Sequence, residues 1–104
     1  MIAVIFEVEM KPGKSQDYLD LAARLRPELE KIDGFISVER FESLANKGKL
    51  VSLSFWRDED AVARWWEHAE HRLAQARGRN EIFSNFRIRV AEVVRDYTLA
   101  DRRG

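Results

Sequence analysis

The stretch FWRDEDAVARWWEHAEHRLAQARGR, Phe55 to Arg79, limits what this chain can fold into more than any other part of it. It holds all three tryptophans and both histidines of the sequence. Asp58 suits a helix N-cap, because its side-chain oxygen can accept a free N–H of the first turn. Glu59 and Asp60 add negative charge where the helix dipole is positive. Val62, Trp65, Trp66, Ala69, Leu73 and Ala76 then recur at three- and four-residue steps, which draws one apolar stripe along a helix. Gly78 suits a left-handed cap, with Arg72 and Arg77 near the negative end. At about 100° per residue His68 falls on the flank of the stripe, between Trp65 and Arg72, and His71 falls near the opposite side. One imidazole is expected at the core boundary and the other in water.

Strand patterns surround this helix. Ile2 to Met10 is β-branched at first and then alternates. Lys11-Pro12-Gly13-Lys14 breaks it, and Ser15 is placed to cap a helix whose buried stripe is Tyr18, Leu21, Ala22, Leu25, Leu29 and Ile32. Pro27 inside that pattern predicts a kink or a restart. Asp33-Gly34 ends the helix, and Phe35 to Leu44 reads as a strand. A turn at Ala45–Lys49, with Asn46 and Gly48 able to take positive φ, pairs it with Leu50 to Trp56 as a hairpin. Ile82 to Leu99 closes the chain, alternating at Phe86, Ile88 and Val90 before the pair Val93-Val94.

The order β-α-β-β-α-β predicts an α+β, ferredoxin-like fold with an antiparallel sheet. Two helices cover only one face of four strands. Yet Ile5, Ile36, Val38, Val51, Val93 and Val94, with their neighbours, supply apolar side chains to both faces. A second copy of the chain is the economical cover, and the last strand pattern is long enough to reach across to it. A homodimer is expected.

At 104 residues and 45% hydrophobic composition, residues 1–104 make one domain with a modest core. Eighteen acidic and eighteen basic residues balance, so no net field draws the protein to nucleic acid or to an anionic membrane. Arg87 and Arg89 alternate on one strand face and read as a solvated face paired to Glu or Asp. The absence of cysteine excludes disulfides and thiolate chemistry and fits a reducing cytoplasm. The apolar start MIAVIFEVEM is too short to span a bilayer and lacks a basic flank, so a cytoplasmic protein is expected. His68 and His71 have only Glu67 and Glu70 nearby as further ligands, so no metal site is expected.

The strings SFWRDEDAVARWWEHAEHRLAQARGR and IFSNFRIRVAEVVRDY, with Gly34-Phe35 opening the second strand, resemble the antibiotic biosynthesis monooxygenase domain family. That resemblance implies a dimeric α+β barrel with a pocket between the helices and the sheet of each subunit. The family includes oxygenases that use neither metal nor flavin, and haem-degrading enzymes. The haem-degrading branch carries an asparagine on the first strand, a tryptophan on the second helix and a histidine near that helix's end. Trp65 matches the tryptophan, but Phe6 stands at the asparagine and Leu73 to Arg77 holds no histidine. A second branch carries a His-Pro-Glu-His-Arg string, which His68, Glu70, His71 and Arg72 match with Ala69 in place of the proline.

Oxygenation without a cofactor needs a substrate that supplies the electron itself, such as a phenol or quinol deprotonated in a dry aromatic pocket. Histidine suits the proton transfer near neutral pH, tryptophans exclude water and stack on the ring, and an arginine steadies the oxyanion. His68 is the candidate catalytic base. Trp56, Trp65 and His71 are candidate substrate contacts, with Arg79 or Arg89 as the anion partner. The expected activity is cofactor-independent oxidation of an aromatic, quinol- or polyketide-like molecule by O2. The alternatives are a non-catalytic dimeric binding module for a hydrophobic ligand, or a divergent haem-binding member.

Overall fold

Period-two alternation in four segments and two amphipathic stretches give four strands and two helices. The computed structural model describes residues 1–75 and 81–101, with the backbone alone at 74 and 75. The elements are β1 (Ile2–Met10), α1 (Ser15–Glu30), β2 (Phe35–Glu42), β3 (Lys49–Trp56), α2 (Glu59–Gln75) and β4 (Phe83–Glu92), followed by a 3₁₀ turn at Leu99–Asp101. The sheet order is β2-β3-β1-β4 with every pair antiparallel, which is the ferredoxin-like α+β arrangement.

Several boundaries differ from those read off the sequence. Ser15 is the first helical residue of α1, not its cap; Lys14 holds the cap position with no side-chain hydrogen bond, and its Nζ lies 3.4 Å from Asp17. The helix runs through Pro27 to Glu30 without a restart. So near the helix end, the proline removes little of the ladder. β2 stops at Glu42 and β4 at Glu92, both short of their sequence patterns. One further rung follows β4, where Val93 N–H donates to Met1 O at 2.9 Å. The chain continues as an arm on which Val94, Tyr97 and Leu99 are exposed. Thr98 then donates from its hydroxyl to Asp101 Oδ2 at 2.7 Å, which pins the final turn and holds the Asp101 carboxyl below its usual range.

α2 is unbroken from Glu59 to Gln75, so alanine at position 69 leaves the helix whole. Asp58 caps it as expected, with Oδ1 accepting Ala61 N–H at 2.9 Å. Gly34 explains how this helix end sits so close to the sheet. Its φ is +96°, and a Cβ there would lie 2.6 Å from Ala61 Cβ. Arg57 binds the junction together, donating to both carboxylate oxygens of Asp33 at 3.1 and 3.0 Å and to Asp58 at 3.0 Å. Those bonds hold the Asp33 carboxyl below its usual range, while for Asp58 the Ala61 N–H is the largest lowering cause, followed by Arg57 and Arg64.

The register separates the two faces of the sheet. Val4, Phe6 and Val8 share the helix side with Ser54, Ser52 and Leu50, and with Val90, Ile88 and Phe86. Ile5, Leu53, Val51 and Phe55 lie on the outer side with Phe41. That outer side also carries Glu7, which bonds Lys49 Nζ at 2.6 Å and pairs with Arg89. Both cations lower the Glu7 carboxyl, Lys49 most. No helix among the described residues is long and apolar enough to cross a membrane.

Candidate active site between the helices and the sheet

The helix side of the sheet is packed as two clusters, not one. At one end Trp56, fully buried, gathers Ile2, Val4, Leu29, Ala61 and Val62. At the other, Val8, Tyr18, Leu21, Leu73, Ile82 and Phe83 pack together. The seam between them lies over the middle of β3, where the inward positions are Ser52 and Ser54. Two serines between Leu50 and Trp56 leave the floor low, and Ala22 and Ala69 leave the helices thin above it. The result is a cavity of about 70 Å³, walled by Phe6, Leu25, Val38, Trp65, Trp66 and Phe83 among others. Its polar groups are the two serines, Tyr18, Arg26, Arg40 and His68, and no carboxylate lines it among the described residues.

His68 stands at the mouth, half exposed. Its Nε2 lies 3.1 Å from Glu28 Oε1 on α1, and Arg72 Nε lies 3.3 Å from the other oxygen of that carboxylate. An ionised carboxylate only accepts, so the Nε2 proton belongs to the histidine and the neutral ring keeps Nδ1 as its basic nitrogen. Glu28 thereby ties the two helices and fixes the tautomer. Sequence reading missed it, and also missed Arg40. Glu28 is a polar residue beside a proline, with nothing to mark its partner 40 residues away. Arg40 does carry a signal, since it is in phase with inward-facing Val38.

The other residues singled out in the sequence divide sharply. Trp65 lines the cavity, with its ring centroid 5.6 Å from those of both Trp56 and Trp66. Trp56 is core and not wall: it is fully buried, donates Nε1–H to Ser54 Oγ at 2.9 Å and packs edge-on against Phe35. His71 is exposed. Arg89 is on the outer side of the sheet, paired to Glu7, and so is not joined to His68 and Trp65. Its alternation showed two faces but not which one met the helices. Arg79 and Gly78 lie outside the described residues. On the far side of the tryptophans, Val4, Val62, Ile88 and Val90 form a shallow apolar groove of about 420 Å³, because α2 leaves the inner side of β4 open.

Residues 1–77 match the sequence model of a family described as antibiotic biosynthesis monooxygenase. The jasmonate monooxygenase ABM of Pyricularia oryzae is 46% identical over 93 residues; the match takes in 89% of this chain but only 43% of that protein's length. Among solved structures, Rv0793 of Mycobacterium tuberculosis superposes with a TM-score of 0.77 at 19% identity, over 93% of this chain and 98% of that one. An MhuD variant bearing two manganese protoporphyrins per active site superposes at 0.72 and 17% identity, over 94% and 99%. At these identities the two structures speak for the fold. The family match and the identity to the Pyricularia protein place this chain in the antibiotic biosynthesis monooxygenase family.

Proposed function

We propose that the chain is a cofactor-independent monooxygenase acting on a small hydrophobic ring, a phenol, quinol or polyketide-like molecule with an acidic hydrogen. One observation carries this: His68 stands at the mouth of an otherwise largely apolar cavity, with Glu28 fixing its tautomer. The Pyricularia relative's name adds enolisable ring ketones to the substrate class.

In this reading His68 Nδ1 takes the substrate proton, and Glu28 steadies the imidazolium that forms. The substrate anion gives one electron to O2, and the resulting superoxide and substrate radical combine as a peroxide. The peroxide takes a proton, and the remaining C–H proton and the distal hydroxide then leave together as one water, so that a carbonyl is left. A CH₂ group and O2 thus become C=O and H₂O, and no outside reductant is needed. Trp65 and Trp66 supply flat faces and exclude water. The space as it stands is under half of the roughly 150 Å³ that accommodates benzene in an engineered apolar cavity, so a ring must push the outer wall aside. Trp66 is half buried and Arg26 exposed, and those are the side chains free to yield.

The small volume also favours a second reading, a binding module without turnover. Haem degradation is disfavoured because Phe6 lines the cavity at the position matched to the asparagine. An oxygen electrode run with anthrones, quinols and naphthols distinguishes the readings. Substrate-dependent O2 uptake with a ketone or quinone product supports the oxygenase. Tight binding with no uptake supports the module.

A further inference from the structure

We infer that Arg40 and Ser52 form an anion subsite on the cavity floor, which takes the carboxylate of a small hydrophobic acid. This rests on the cavity being a ligand site, as proposed above. Arg40 projects from β2 on the helix side and is the cross-strand partner of Ser52 on β3. Both line the cavity. The guanidinium carbon lies 5.9 Å from the centroid of the Tyr18 ring, a contact that steadies the group but accepts none of its N–H bonds. Its Nε is buried and has no hydrogen-bond partner.

A buried donor without an acceptor is costly, and native structures rarely keep one without a reason. The cavity's other guanidinium and its imidazole already have partners, Arg26 in Glu30 at 2.9 Å and His68 in Glu28. Arg40 forms no ion pair among the described residues, even with Glu42, the next residue on its face of β2, and no carboxylate among the described residues lines the cavity. The unanswered atom also selects the ligand. Nε–H and one Nη–H make a planar fork that matches the two oxygens of a carboxylate. The Ser52 hydroxyl beside it can donate to the same group. Against the apolar walls, the ligand is then a ring or short chain with one carboxylate, held with its acid end on β2 and β3.

The test is binding, with no turnover required. 1-Naphthylacetic acid and its methyl ester are titrated into the full chain at neutral pH, with calorimetry as readout. The acid should bind about 10- to 100-fold more tightly than the ester, the range expected for a hydrogen-bonded charge pair. Arg40→Met should weaken the acid to the level of the ester and leave the ester unchanged. Arg40→Lys, which keeps the charge but not the fork, should keep part of the preference. Equal affinities in the wild type, a preference that survives in Arg40→Met, or no binding of either probe at millimolar concentration would each overturn the subsite. An acid preference without O2 uptake would remove the oxygenase reading and leave the subsite standing. Uptake on neutral quinols without an acid preference would do the reverse.

Discussion

His68 and Glu28 meet across two helices through one 3.1 Å contact, and the proposed chemistry depends on that pair. If His68 is the base, His68→Ala should lower turnover of an accepted quinol by roughly 10²–10⁴ while the fold survives, because a half-exposed ring carries little packing. Glu28→Gln should lose less, but in the same way: kcat falls and KM holds, since the carboxylate steadies the charged ring and does not touch substrate. His71→Ala should change neither quantity. Steady-state oxygen uptake beside a far-UV CD melt reads all three. Unchanged kcat in His68→Ala would exclude it as the base. The flank position of His68 was legible in the helical period. Glu28 was not, because a contact between helices depends on how α1 is laid against α2, and no local pattern records that.

The strands and helices were legible because each announces itself by its own period, and the same period hid the cavity. It exists only because Ser52 and Ser54 on β3 come into register with Phe6 on one side and with Arg40 and Val38 on the other. Register is not written in any one strand. The reach of β4 was hidden for a related reason: its apolar pattern continues through Val93 and Val94, but the strand ends at Glu92, and that end belongs to its pairing with β1. Two predictions belong at this scale. Ser52→Val should add about 0.5–2 kcal/mol of stability by filling the hollow, and should abolish ligand binding, a trade seen when functional cavities are filled. Thermal melts beside a probe titration check both halves. The second concerns the junction of β3 and α2. Asp33 and Asp58 are held below their usual carboxyl range, so their contribution is complete above about pH 4 and is lost as the pH falls through the lowered values. Arg57→Gln removes the cation that bonds both, and this variant should unfold at a higher pH than the wild type in an acid titration followed by CD.

For the whole molecule, the outer sheet side and the terminal arm are unfinished surfaces. Ile36 and Phe41 are about half exposed there, and Val94, Tyr97 and Leu99 extend from the last strand into solvent. A second copy covers such a surface most simply, so light scattering at micromolar concentration should report about twice 12.2 kDa. Replacing Val93 and Val94 with lysine should separate the subunits, because burying unpaired charge costs several kcal/mol. A stable monomer in the wild type would refute the dimer. The tryptophans carry a consequence of another kind. All three stand in one file, Trp56 to Trp65 to Trp66, with 5.6 Å between successive ring centroids. At that spacing an excited indole passes its energy to the next before it emits, so the three behave as a single lamp. Near-ultraviolet light from this protein therefore reports on one corner of it, and a quencher that touches Trp66 at the cavity wall darkens the whole molecule, down to the ring sealed in the core.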